Sequence, residues 1–202
     1  VQTQPANQTC NVVNGTGTMG GANVTNVTVT CSTNYFTVGG TISGLVGTVT
    51  LQNNGTDTLA MSTDGNFNFT TSVASGSNYA VTIQTQPANQ TCTVVNGSGV
   101  MGGGNVSDIT VTCSINYYTV SGNISGLTGT LILQNNGTDT KSVNANGSFT
   151  FSTPVAQGSS YAVTVQTQPV GQICSVANSS GTMGGANVSN VTVTCSTNHY
   201  TV

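Results

Sequence analysis

The sequence predicts an all-β chain built from tandem seven-stranded β-sandwiches of the immunoglobulin-like or transthyretin-like kind, and three observations predict it. The first is a period: Cys10, Cys92 and Cys174 stand 82 residues apart, as do Cys31, Cys113 and Cys195, with no insertion between copies. The second is alternation, since Val, Thr and Ile interleave with polar residues in short runs, the pattern of strands with one buried face. The third is punctuation. Asn, Asp and Gly clusters interrupt those runs at short intervals, and no stretch carries a helical period.

Residues 1–34 read as the closing hairpin of a preceding repeat. In Asn26-Val-Thr-Val-Thr-Cys31, Val27, Val29 and Cys31 share one strand face, as do Cys10 and Val12 in the facing run. If Cys10 lies opposite Cys31, the fold-back falls between Gly20 and Gly21, a pair suited to a primed turn with positive φ. The same register puts turns at Gly102-Gly103 and Gly184-Gly185. The cysteines then occupy close pairs within disulfide reach. The expected bridges are Cys10–Cys31, Cys92–Cys113 and Cys174–Cys195, one per repeat, each stabilising by roughly 3 kcal/mol. Asn14-Gly15 and Asn96-Gly97 offer a competing turn, with which the disulfide would link two sheets instead.

The first whole unit is expected over 35–116. Its strands are read at Tyr35 to Gly44, Leu45 to Gln52, Thr58 to Ser62, Asn66 to Phe69 and Asn78 to Thr85, before Pro87 breaks the pattern and the cysteine hairpin closes the unit. The second unit, 117–198, repeats each step, and 199–202 begin a further one. Opening and closing in mid-repeat, the chain reads as a window on a longer array. Only three residues separate Cys31 from Tyr35, so the repeats should form a semi-rigid rod at about 30–35 Å each. Tyr35, Phe36, Tyr117, Tyr118 and Tyr200 sit at the repeat junctions and are expected to pack between neighbours.

The run Leu51-Gln-Asn-Asn-Gly55, then Asp64-Gly-Asn-Phe-Asn-Phe69, then Gly76-Ser-Asn-Tyr-Ala-Val81 resembles the carboxypeptidase-regulatory-like, or Cna protein B-type, domains of secreted bacterial surface proteins. Asn146-Gly-Ser-Phe-Thr-Phe151 and Gly158-Ser-Ser-Tyr-Ala-Val163 carry it in the second unit. The resemblance covers the first two-thirds of each repeat and implies a stalk or spacer. Many Cna B-type domains lock themselves with a Lys-to-Asn bond promoted by an acid. Unit one has no Lys and neither unit has a Glu, so the disulfide is inferred to take the stapling role.

Composition narrows the function. Charged residues make up 2% of the 202, and the net charge is −3. Nucleic acid is excluded as a partner, because that affinity needs many Lys and Arg. Membrane insertion is not expected either, without a long apolar run or basic amphipathic segment. Paired cysteines place the protein outside the cell or at its surface.

Candidate chemistry is thin. Gly15-Thr-Gly-Thr-Met-Gly20 and Gly97-Ser-Gly-Val-Met-Gly102 fit Gly-x-Gly-x-x-Gly, but strand follows where a phosphate-binding helix is needed. Asp57 and Asp139 follow Asn-Asn-Gly-Thr and read as turn caps rather than calcium ligands. There is no Cys-x-x-Cys, and His199 is the single histidine, so neither a metal site nor a nucleophilic triad can be assembled. No enzyme and no cofactor is expected. Asn-x-Ser/Thr sequons at Asn7, Asn23, Asn26, Asn54, Asn89, Asn105, Asn136 and Asn187 could carry glycans.

The expectation is therefore a structural stalk or self-assembling filament whose partners are copies of itself or neighbouring repeats. The alternative is an adhesin or carbohydrate-binding module of a large bacterial surface protein.

Overall fold

A computed structural model describes residues 1–198, all as strands, turns and loops. The chain divides into two compact units, Val1–Ser114 and a second from Ile115 onward.

In the first unit a two-stranded hairpin of β1 (Gln8–Val13) and β2 (Thr28–Thr33) precedes a sandwich. The sandwich contains β3 (Tyr35–Phe36), β4 (Val38–Ser43), β5 (Val49–Asn53), β6 (Asp57–Met61), β7 (Gly65–Asn68), β8 (Val73–Ala74), β9 (Asn78–Thr85), β10 (Gln90–Val95), β11 (Ser98–Val100) and β12 (Val106–Ile115). One sheet has the order β10-β12-β4-β7, the facing one β11-β9-β5-β6, and β3 pairs with β8 beside them. Inward side chains of both sheets, among them Val38, Leu51, Phe67, Val81, Met101, Ile109 and Val111, form one buried cluster. Phe67 and Phe69 meet edge to face at 6.0 Å within it.

The second unit repeats this with β13 (Tyr117–Tyr118), β14 (Val120–Ser125), β15 (Leu131–Asn135), β16 (Asp139–Val143), β17 (Gly147–Thr150), β18 (Val155–Ala156), β19 (Ser160–Thr167), β20 (Gln172–Ala177), β21 (Ser180–Thr182) and β22 (Val188–Thr197). Its sheets run β17-β14-β22-β20 and β16-β15-β19-β21.

Two features depart from the sequence reading. The cysteine hairpin is not an unbroken ribbon turning at paired glycines. Pairing of β1 with β2 stops at Val13 and Thr28, and in the sandwiches the chain leaves the sheet at Asn96 and Asn178, both at positive φ. Each of these Asn side chains donates from Nδ2 to the carbonyl across the opening, Asp108 or Asn190, which fixes the left-handed turn. The next residues form β11 and β21, which pair with β9 and β19 in the opposite sheet. Yet the disulfides join neighbouring strands of one sheet, so an inter-sheet bridge does not describe them either. The second departure is at Leu45 to Gln52, where strand begins only at Val49 because the preceding loop is held by a side chain described below.

The last strand of each body also pairs in parallel with its first long strand, β12 with β4 and β22 with β14. This contact closes each sheet across almost the whole repeat. It depends on Gly40 and Gly122, where a Cβ would collide with the carbonyl oxygens of Ile109 and Val191.

Candidate functional site

The elements repeated most faithfully are the cysteine hairpin and the junction that follows it. Cys10 faces Cys31 and Cys174 faces Cys195 across their ladders. The bridges Cys10–Cys31, Cys92–Cys113 and Cys174–Cys195 have Cα separations of 3.9, 3.9 and 4.0 Å.

A glutamine that sequence reasoning missed clamps each one. The amides of Gln4, Gln86 and Gln168 accept from the N–H of Cys10, Cys92 and Cys174 at 2.6, 2.7 and 2.8 Å. They also donate to the carbonyl of the same cysteine, at 3.0 Å in every copy. The backbone groups of these cysteines therefore point away from the partner strand, which makes each a narrow, non-hydrogen-bonded pair. Since β10 and β20 are edge strands, the amide also occupies an edge that would otherwise template further pairing. The signal was present as Gln-x-Gln-Pro at 2–5, 84–87 and 166–169.

A second glutamine ties the body to the hairpin. Gln90 and Gln172 are buried. Their oxygens accept from the N–H of Val46 and Thr128, both at 2.7 Å. Their Nε2 groups donate to the carbonyls of Gly44 and Gly126 at 2.8 and 2.7 Å. These bonds hold the loop after β4 or β14 irregular until the next strand starts.

At the junction a single residue, Asn34, separates β2 from β3. Its N–H donates to the carbonyl of Asn7 at 2.9 Å, and its own carbonyl accepts from the Ser75 N–H at 2.8 Å. The Ser75 hydroxyl lies 2.8 Å from both Asn7 Oδ1 and the Gly102 carbonyl, its one proton shared between them. A Cβ on Gly76 would come within 2.6 Å of the Asn7 side chain. The hairpin thus rests directly on the β8–β9 turn. In the second unit, Asn116 separates β12 from β13 and accepts from the Gln157 N–H at 2.8 Å. Its Nδ2 donates to Gln157 Oε1 at 3.0 Å.

Tyr35 and Tyr117 are exposed, at 60% and 59%, while Phe36 and Tyr118 are half-buried against the cores of their own sandwiches. Tyr200 and His199 lie outside the described residues.

The sequon asparagines divide by what their amides do. Asn54 and Asn136, at positive φ, donate from Nδ2 to the carbonyls of Asn78 and Ser160. Asn105 and Asn187 accept from the Thr37 and Thr119 N–H groups at 3.0 and 2.9 Å. Asn7 and Asn89 sit in left-handed turns, and Asn23 and Asn26 on the exposed loop between β1 and β2.

The carboxylates serve turns. Asp57 accepts from the Thr71 N–H and Thr70 hydroxyl, and Asp64 from the N–H groups of Gly44 and Leu45. Asn146 accepts from the Leu127 N–H in the place of Asp64. Asp139 accepts from the Thr153 N–H and the Ser152 hydroxyl. Its slight burial opposes the charge, but these hydrogen bonds outweigh it and hold the carboxyl below the ordinary carboxylate range. Among the described residues no three His, Cys, Asp or Glu side chains group as metal ligands do. Within the Gly-x-Gly-x-x-Gly of the second copy, residues 98–100 are strand β11 rather than a helix.

No family model and no curated protein matches the sequence. Among solved structures, the TIE protein of Bacillus anthracis is similar at 10% identity and TM-score 0.54, over 82% of this chain and 37% of that one. The shaft pilin SpaA of Lactobacillus rhamnosus GG gives 11% identity and TM-score 0.30, over 82% of this chain and 100% of that one. Two B repeat units of the collagen-binding protein of Staphylococcus aureus give 17% and 0.26, over 97% and 57%. The chain thus spans little more than a third of the Bacillus anthracis protein, and its likeness to that protein is one of fold.

Proposed function

We propose that the chain is a structural repeat protein of the cell exterior, serving as a semi-rigid stalk or as the subunit of a self-assembling filament. The junction at Asn34 carries this reading. One residue joins the hairpin to the sandwich, and that residue is hydrogen-bonded on both sides to Asn7 and Ser75, leaving no slack for a hinge. Repeated disulfides and glutamine clamps support it, since each spends polar groups on holding strands rather than on presenting them to a substrate. Disulfides in every copy fit an oxidising exterior. With 2% charged residues, self-association meets little electrostatic repulsion.

Electron microscopy of native material tests the proposal. Straight stalks or polymers with an axial repeat of about 30–35 Å are expected. Modules that bend freely at every junction would refute it.

A further inference from the structure

A polar cleft of about 270 Å³ opens in the first sandwich beside the turn from β5 to β6. Asn53, the last residue of β5, lines it together with Asn54, Thr56, Asp57, Ser72 and Ser77. Asn53 is 2% exposed, and its Oδ1 accepts from the Ala80 N–H at 3.1 Å. Its Nδ2 meets no hydrogen-bond partner among the described residues, yet it is not sealed from solvent. A buried amide donor open to a cleft has its hydrogen bond still to make. The second sandwich repeats the arrangement. Asn135 is 2% exposed, its Oδ1 accepts from the Ala162 N–H, and its Nδ2 likewise has no partner among the described residues.

The carboxylate across the turn does more than cap it. Asp57 and Asp139 stand opposite Asn53 and Asn135 in their ladders, so aspartate holds that place in both repeats. The chain's other two carboxylates each correspond to an amide in the second repeat, Asp64 to Asn146 and Asp108 to Asn190. Asp64 accepts an N–H on each oxygen, and Asn146 holds the same loop with one oxygen. An amide therefore suffices for a cap. Asp57 spends one lone pair per oxygen, on the Thr70 hydroxyl and the Thr71 N–H, which leaves a second on each.

The cleft thus pairs a neutral donor with an anionic acceptor, and that pairing selects its ligand. A cation would face the Asn53 amide and find one carboxylate, where calcium takes about six to eight oxygens. An anion would meet Asp57, and an apolar group would meet mostly Asn, Thr and Ser. A neutral molecule with neighbouring hydroxyls satisfies both, donating to the carboxylate and accepting from the amide. The volume lies at the small end of ligand sites, which begin near about 300 Å³, and suits one sugar ring.

We propose that this cleft binds a single pyranose residue of a neutral glycan, one site per sandwich, with Asn53 or Asn135 donating to one sugar hydroxyl and Asp57 or Asp139 accepting from its neighbour. The site lies apart from the cysteine hairpin and the junction that carry the structural reading, so either can fail without the other.

The test is an NMR titration of the full chain with the methyl glycosides of glucose, galactose and mannose and with N-acetylglucosamine. With at least one of them, the Asn53 and Asn135 side-chain amides and the Thr71 and Thr153 N–H groups should shift saturably. No aromatic ring lines the cleft, so a dissociation constant of about 1–10 mM is expected. Ser77→Leu fills the cleft from its exposed rim, and Asn53→Asp keeps the acceptor for Ala80 while removing the donor. Each should weaken the Thr71 response roughly tenfold or more and leave that of Thr153 unchanged. Where Asn53→Asp disturbs the methyl signals of buried Leu51, Ser77→Leu decides alone. The site is overturned by no saturable shift at about 100 mM of any sugar, by a response that Ser77→Leu leaves intact, or by one that calcium chloride produces and no sugar does.

Discussion

The same methionine occurs in three environments, which makes Met101→Ala the sharpest test of the packing. Met101 is 1% exposed in the core of the first unit, Met183 is 1% exposed in the second, and Met19 is 71% exposed on the open hairpin. Truncating a buried methionine to alanine removes about three methylene equivalents at about 0.8 kcal/mol each, or about 2.4 kcal/mol of transfer free energy. A residual cavity of about 50 Å³ adds about 1 kcal/mol at the usual cost per volume. Met101→Ala and Met183→Ala should therefore each cost about 3–4 kcal/mol, within the range for such core truncations. For units of this size that lowers the midpoint by about 15–20 °C. Calorimetry should show Met101→Ala lowering the first unit's transition and Met183→Ala the second's. Met19→Ala should move neither by more than about 0.5 kcal/mol, as an exposed substitution does. A loss below about 1 kcal/mol at Met101, or one matching it at Met19, would refute the account of the core and of the open face together.

Three further outcomes follow from the clamps and turns. Cys92→Ser with Cys113→Ser should cost about 3 kcal/mol in the first unit for a bridge spanning 21 residues, read by denaturant unfolding. Non-reducing peptide mapping should recover the three within-repeat pairs and no others. Gly76→Val, which drives a side chain into Asn7, should raise amide exchange in residues 7–34 while the core of β4, β5 and β9 stays protected. Equal deprotection of both would show that the hairpin and sandwich are one cooperative element. Asp139 has a depressed folded pKa, so the stability it contributes is present above the unfolded value of about 3.9 and is lost as pH falls through the folded value. Asp139→Asn should remove that acid dependence from the second unit, and an unchanged stability profile between pH 5 and 2 would count against the capping role.

How much of this was legible follows from the range of each interaction. Alternation in Asn78 to Thr85 marks β9 at both ends, because which face is buried is written residue by residue. The facing cysteines were legible too, as one pair at the same spacing in every copy, although the paired-glycine turn counted from them is not the one formed. The parallel pairing of β12 with β4 was not, because nothing in an alternating strand names a partner some 70 residues away. Nor was the departure of β11 to the second sheet. Asn96-Gly97 and Gly102-Gly103 are both acceptable turns locally, and the choice is made by what the chain gains beyond them, which is burial of Met101 and a ladder with β9. The glutamine clamps were visible as a repeated Gln-x-Gln-Pro, but a polar residue in a loop has no periodicity to assign it a task.

The open hairpin is where these two kinds of information separate. Its sequence specifies the same clasp as in the other copies, and the interactions that build it are local: the disulfide, the Gln4 clamp and six residue pairs of ladder. The clasp is closed by contacts within one hairpin, whereas the body's first long strand must lie against β12 or β22 of that hairpin. A hairpin stable before its body arrives can serve as the nucleus on which that body closes. This order predicts that breaking Cys174–Cys195 slows refolding of the second unit as well as speeding its unfolding. A bridge that formed only after the body closed would change the unfolding rate alone.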